Sequence, residues 1–193
     1  QDGPGAEELM LLIRHGESEF NVHYGKTRID PGIEDPRLTE NGIAQVEAAA
    51  RRLAREPVTR IITSPYTRAL HTAQIIADVI NVPVEVETLV RERYHFACDI
   101  GTLRDELAVQ WSHLDFAHLT DRWWPEVSEP ESSIDQRAVD FHASRASLDD
   151  IATTLVVSHW GFIRALTGER VGNAQILRIN PLNPREVVAF IDP

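Results

Sequence analysis

Four short apolar runs, each breaking abruptly into polar residues, set the rhythm of the chain. Met10 to Ile13 passes without a spacer into Arg14-His15-Gly16, and Thr59 to Thr63 into Ser64-Pro65-Tyr66-Thr67-Arg68. Val84 to Val90 leads into Arg91-Glu92-Arg93-Tyr94, and Thr153 to Val157 into Ser158-His159-Trp160-Gly161. Each run has the length and the aliphatic or β-branched content of a strand. Between them the apolar spacing becomes helical. Ile43, Val46, Ala50 and Leu53 follow the opening Leu38-Thr39-Glu40-Asn41-Gly42, with Arg51, Arg52 and Arg55 near the end, where cations suit the helix dipole, and Pro57 beyond. Leu70, Ala73, Ile76 and Ile80 predict a helix over about Thr67 to Ile80. Ile134, Ala138, Phe141 and Leu148 predict another to about Asp149, opened by a capping box at Ser132-Ser133-Ile134-Asp135. One more begins within Phe162 to Leu166.

Gln175 to Ile179 and Glu186 to Ile191, joined by a Pro/Asn turn, read as two strands forming an antiparallel edge. Strands alternating with helices predict a largely parallel sheet covered on both faces. Three stretches fall outside that rhythm. Gln1 to Glu8 reads as a loose lead-in, and Ser18 to Asp35 as a polar loop. Between about 95 and 131 the periodicity lapses, and Trp111, Phe116, Trp123 and Trp124 fall among acids and histidines. That section is expected to be a short helix or two with irregular loop, inserted over a site. No internal repeat or low-complexity segment interrupts the pattern.

A chain of 193 residues is expected to form one domain, 1–193, with a core large enough to need no disulfide or metal. Nineteen basic against thirty acidic residues give a net charge of -11, which argues against nucleic acid or an anionic membrane as partner. An anionic ligand must then be drawn in by a local arginine cluster. Cys98 is the single cysteine and can form no internal disulfide, which fits a reducing, cytoplasmic setting. No apolar stretch approaches a membrane span, and no signal peptide is visible. Residue 1 is Gln, so the start reads as processed or as a boundary, and a removed targeting segment is compatible with it.

Ligands of open α/β sheets bind at the carboxyl ends of the strands, and there this chain places Arg14-His15, Ser64 with Arg68 a turn later, Glu92, and His159. Two guanidinium forks suit a phosphate group. A neutral His15 could attack phosphorus, with Arg14, Arg68 and a protonated His159 stabilising the charge of the transferring group. Glu92, its pKa raised by partial burial, could protonate the leaving alkoxide and then activate water against a phosphohistidine. No metal and no cofactor is required.

These residues are similar to those of the histidine phosphatase superfamily, which includes the cofactor-dependent phosphoglycerate mutases. Arg14-His15-Gly16-Glu17-Ser18-Glu19-Phe20-Asn21 resembles its signature Arg-His-Gly-Glu-Ser-x-x-Asn in full. The likeness continues through Asp35 to Gly42, Ser64 to Ala73, Glu92-Arg93 and Ser158-His159. The resemblance implies a three-layer α/β/α sandwich around a mostly parallel sheet. It implies phosphorylation of His15, a phosphate pocket of Arg14, Arg68 and His159 with Asn21 in contact, and Glu92 as proton donor. Ser18 and Trp160 are further candidates for the phosphate or substrate pocket. Where the mutases continue Glu-Arg-His-Tyr-Gly, this chain has Glu92-Arg93-Tyr94-His95-Phe96, with Gly101 one residue late, which makes Glu87 the fallback donor. Residue 160, often Gly in these proteins, is Trp. The long insertion typical of the mutases is absent, which favours a phosphatase.

The expected function is therefore metal-independent hydrolysis of a small phosphate ester. The rivals are a phosphoglycerate mutase or bisphosphatase, and a non-catalytic phospho-ligand or protein-binding module. His23, His71, His95, His113, His118 and His142 are read as structural, and the five-residue spacing of His113 and His118 argues against a metal pair. Arg91 and Arg93 read as rim residues. Should Trp123 or Trp124 join Trp160 at the pocket, the substrate would carry an apolar or aromatic part. Oligomeric state has no signal in the sequence.

Overall fold

The computed structural model describes residues 9–145 and 148–193; the lead-in Gln1 to Glu8 lies outside them. Six strands form one sheet: β1 (Met10–Arg14), β2 (Arg60–Thr63), β3 (Val84–Val86), β4 (Thr154–Ser158), β5 (Ile176–Asn180) and β6 (Asn183–Ile191), in spatial order β3-β2-β4-β1-β5-β6. The first four run parallel. β5 is antiparallel to β1 and β6 to β5, which forms the expected antiparallel edge.

The helices are α1 (Glu19–Thr27), α2 (Glu40–Leu53), α3 (Thr67–Ile80), α4 (Arg104–Gln110), α5 (Glu131–Arg145) and α6 (Trp160–Thr167). The two-residue period of the strands decides which helices cover which face. Leu11, Ile13, Ile61, Leu155 and Val157 pack against Val46, Ala50 and Leu53 of α2 and Ala69, Ala73 and Ile76 of α3. Leu12, Ile62 and Val156 point the other way, onto Ile134, Ala138 and Phe141 of α5 and Phe162 and Ile163 of α6. Three α/β/α layers result. A third cluster, with Tyr66, Leu70, Val86, Leu107, Phe116, Trp123 and Trp124, anchors the section after residue 95 to the end of the sheet. Among the described residues no helix is long and apolar enough to cross a membrane.

Four local expectations need correction. Ser18 to Asp35 is no loop, since α1 occupies half of it. Ser18 caps that helix by accepting from the Asn21 backbone N–H, while the Asn21 side chain accepts from the Ser18 N–H. The helix has no apolar stripe facing the sheet, and that removes the periodic signal. β3 ends at Val86 and the chain turns through a 3₁₀ segment at Thr88–Val90, because the Glu87 carboxylate caps the Leu89 N–H. α5 begins at Glu131, ahead of Ser132, with the Ser133 hydroxyl donating to Glu129. It ends at Arg145, and residues 146–147 of the expected continuation lie outside the described residues.

Candidate active site

The register of β1 on β4 aligns Arg14 with Ser158, so the next residues, His15 and His159, leave the two central strands side by side. Their ring centroids are 5.1 Å apart and both rings are buried. His15 Nδ1 lies 2.7 Å from the Gly16 carbonyl oxygen. A carbonyl only accepts, so Nδ1 carries the proton and Nε2 keeps its lone pair. Burial, and then the positive charges of Arg68 and Arg14, hold the His15 pKa well below the ordinary imidazole value. The turn carrying the ring is fixed from outside. The Gly16 N–H donates to Thr72 Oγ1 at 3.1 Å, and Glu17 accepts from the Thr39 N–H at 2.9 Å. A Cβ on Gly16 would lie 2.6 Å from the Gly42 carbonyl oxygen, so α2 can approach this turn only because both residues are glycine.

His159 corrects the expectation of a protonated ring. Its Nε2 is 2.6 Å from Ser64 Oγ, which accepts from the Tyr66 N–H and so has its own proton to donate. Burial, with Arg68, His15 and Arg14 adding to it, keeps the His159 pKa well below the ordinary value. Nδ1 of this neutral ring is a buried N–H with no partner among the described residues.

Both guanidiniums donate to main-chain carbonyls, and Arg68 is also paired with the Asp99 carboxylate. Arg14 Nη1 donates to Val171 O at 2.9 Å, while its Nε is buried without a partner among the described residues. Burial pushes the Arg14 pKa down to about 10, Glu92 opposing and Arg68 assisting, so the group stays charged at neutral pH. Arg68 is buried over the Tyr66 ring and donates to Cys98 O at 2.8 Å and to Asp99 Oδ1 at 3.2 Å. Asn21 Oδ1 accepts from the Ser18 N–H, the Ser18 hydroxyl and Asn173 Nδ2, which leaves the Asn21 Nδ2 donors uncommitted among the described residues. The Ser18 hydroxyl is therefore spent on orienting Asn21 rather than on a ligand. Asn173, from the segment before β5, also donates to His15 O at 3.2 Å. Neither Asn173 nor Asp99 belongs to any motif that the sequence displays.

Glu92 lines the same cleft as Arg14, His15, Asn21 and Arg68. Its Oε1 accepts from the Arg93 N–H at 2.7 Å and its Oε2 from the Gly161 N–H at 3.1 Å. Burial and the nearby Asp99 raise its pKa above the ordinary carboxyl value, against the two N–H donors and Arg68. The fallback, Glu87, is committed elsewhere, capping Leu89 and pairing with Arg145 at 3.0 Å. The Glu92 backbone is clamped by Arg137, which donates to the carbonyls of Leu89, Arg91 and Glu92 while Glu129 holds its other side. The Glu129 N–H donates to Tyr94 O at 2.8 Å, so the section between them leaves and rejoins at one point. A Cβ on Gly161 would collide with Glu92 Oε1. Gly161→Ala is expected to displace the carboxyl group and to cost about 10²-fold in any turnover that uses it, with little change in Tm; unchanged turnover would show that the carboxyl position is immaterial.

The cleft has a volume of about 550 Å³. One wall is aromatic, made by Phe20 and Tyr24 of α1 and by Phe96. Trp160 stands at the mouth, 36% exposed, with the Arg164 guanidinium 5.4 Å from its ring centroid. Trp123 and Trp124 do not join it: both are buried in the third cluster, where Trp123 packs edge-on against Tyr66 and donates to Thr102 O. Their contribution is to back the Tyr66 ring, which in turn carries Arg68 and meets His159 edge-on at 5.2 Å. His95, read as structural, lines the cleft beside Phe96. His118 and His142 are tied to main-chain carbonyls, in keeping with the structural reading. Among the described residues no group of three His, Cys, Asp or Glu side chains is placed to hold a metal ion. The arrangement as a whole offers an imidazole nucleophile, two fixed cations, neutral donors and an acid.

The profile of the histidine phosphatase superfamily (branch 1) matches residues 10–183. A 2,3-bisphosphoglycerate-dependent phosphoglycerate mutase of Thermoplasma acidophilum is 32% identical over 160 residues, 82% of this chain and 74% of the relative. One of Beijerinckia indica is 30% identical over 175 residues, 83% of this chain and 79% of the relative. Among solved structures, a mycobacterial glucosyl-3-phosphoglycerate phosphatase in complex with VO3 has a TM-score of 0.63 at 23% identity, covering 89% of this chain and 92% of that one. The phosphoserine phosphatase of Entamoeba histolytica in complex with 3-phosphoglyceric acid also has a TM-score of 0.63, at 21% identity, covering 96% and 97%. At those identities the two structures share the fold with this chain.

Proposed function

The chain belongs to the histidine phosphatase superfamily, and on that premise we propose that it is a phosphomonoesterase working through a phosphohistidine at His15, without a metal ion. The observation that carries the reading is the Nδ1–H···O=C bond from His15 to Gly16, which frees Nε2 in a cleft it shares with two buried or half-buried arginines. Nε2 attacks phosphorus, the P–O bond to the alcohol breaks, and the Glu92 carboxyl proton passes to the departing oxygen. The Glu92 carboxylate then takes a proton from water, whose oxygen attacks phosphorus. The N–P bond breaks, and inorganic phosphate leaves with His15 neutral and Glu92 protonated again. Arg14, Arg68, Asn21 Nδ2 and His159 Nδ1–H hold the phosphoryl oxygens, and they supply the charge stabilisation for which other phosphatases use a cation.

Hydrolysis of p-nitrophenyl phosphate in excess chelator, followed by acid quench to look for an acid-labile phosphoenzyme, tests the proposal. Abolition of turnover by the chelator would remove the metal-free step. The pKa directions also set a pH profile. His15 must be neutral and its pKa is depressed, so activity persists well into acid and is lost only below that lowered value. Glu92 must be protonated and its pKa is raised, so activity falls as pH climbs through that raised value. For alkyl esters kcat/KM is expected to fall on the alkaline side as Glu92 loses its proton, and a profile without that alkaline limb would contradict the assignment of Glu92.

A second reading, a phosphoglycerate mutase, is favoured by the names of the relatives at 30% identity and above. Conversion of 3-phosphoglycerate to 2-phosphoglycerate faster than phosphate release would establish it.

A further inference from the structure

The phosphate end of the cleft accounts for only part of its volume of about 550 Å³, which lies in the range of pockets for drug-sized ligands. One side of the rest is bounded by aromatic rings. Phe20 and Tyr24 are four residues apart on α1, hence on one face, and their rings lie nearly parallel at 5.2 Å. Phe96 enters from the section after β3 and tilts against both, at 5.3 Å and 5.0 Å. All three line the cleft, and Tyr24 and Phe96 are half-buried, so they present apolar surface inside it.

Of the four arginines that line the cleft, three are committed. Arg14 and Arg68 face the phosphoryl group on the reading above. Arg93 donates its Nε to Glu129 O and pairs with Glu131 at 3.4 Å. Arg28 is exposed at the outer rim, 5.6 Å over the Tyr24 ring. A second anionic group on the substrate, a carboxylate or another phosphate, would lie along aromatic rings with no buried cation to receive it. A neutral apolar group there would instead remove the exposed ring surfaces from water.

We propose that the substrate is a phosphate monoester of an uncharged, apolar alcohol of roughly aryl size, and that Phe20, Tyr24 and Phe96 select it. The inference rests on the phosphomonoesterase reading. Comparing 2-phenylethyl phosphate with ethyl phosphate keeps the leaving group an alkoxide and isolates the wall, and 3-phosphoglycerate supplies the charged alternative. The expected result is a kcat/KM for the phenylethyl ester about tenfold or more above the other two. Phe96→Ala and, separately, Tyr24→Ser should reduce that preference at least about threefold. Equal or higher kcat/KM for 3-phosphoglycerate, or a preference unmoved in both variants, would overturn the inference and leave the phosphatase intact. Calorimetry with 2-phenylethylphosphonate and ethylphosphonate reads the wall without turnover. Tighter binding of the phenylethyl compound alongside failure to hydrolyse any ester would sink the phosphatase reading alone, whereas equal binding would sink the wall.

Discussion

Replacing His15 with Asn is expected to lower kcat for every phosphate ester by about 10⁴-fold or more, the scale on which removal of a catalytic nucleophile acts. The size follows from what the side chain alone supplies. Arg14, Arg68 and His159 can stabilise transferring charge, but none offers a free lone pair at phosphorus, since the arginines do not deprotonate and the Nε2 of His159 accepts the Ser64 proton. The variant should keep its Tm within a few degrees, because Asn can donate to the Gly16 carbonyl in place of Nδ1. Measuring kcat together with the acid-quench phosphoenzyme checks both halves. Turnover above a tenth of wild type, or a phosphoenzyme surviving in the variant, would place the nucleophile elsewhere.

Glu92→Gln is expected to separate the two chemical steps. For an alkyl ester the departing oxygen needs a proton, and loss of the acid should cost about 10²–10⁴-fold in kcat. For p-nitrophenyl phosphate the leaving group departs as a stable anion, so phosphorylation of His15 stays within about tenfold of wild type. Dephosphorylation then slows because no base activates water. Rapid-mixing experiments should show a stoichiometric burst of p-nitrophenol followed by slow turnover, with phosphoenzyme accumulating. The alkaline fall of the pH profile should vanish in the same variant. Equal losses for the alkyl and the nitrophenyl ester, without a burst, would mean that Glu92 holds the site together and transfers no proton.

The catalytic half of this site was legible because its residues sit where backbone geometry leaves little choice. His15 and His159 follow directly on strands whose β-branched or aliphatic runs are unambiguous, Arg68 comes a turn after β2, and the parallel register then brings them to one edge. α3 matches its expected limits of Thr67 and Ile80 because both its core-facing stripe and its flanking turn residues point the same way. The substrate half was not legible. Phe20 and Tyr24 face the cleft instead of the sheet, so α1 shows no core stripe and reads as loop. Phe96 and Asn173 lie in segments without period or motif, and only the folded chain brings them to His15. Trp123 and Trp124 carry a large apolar surface that the third cluster buries, so they pack beneath the site and do not line the cleft. The neutral state of His159 has no signal in the sequence, because nothing in the spacing reveals the hydroxyl of Ser64 against its ring.

The hydrogen bonds from the Glu129 N–H to Tyr94 O and from the Tyr94 N–H to the Glu129 carboxylate make the intervening section a closed excursion whose entrance and exit coincide. Closing a loop at a fixed pair of points costs only about 0.6 kcal/mol more for each doubling of its length. Residues 95–128 can thus be exchanged as a cassette for one of different length and lining, grafted between Tyr94 and Glu129. Such a chimaera would keep the Arg137 clamp and Arg14, His15 and His159 from other elements, and it would need Cys98 and Asp99 retained, since their oxygens hold Arg68. It would inherit a new substrate preference along with the new cassette, so reagents for a different alcohol could be sought by library replacement of this one section.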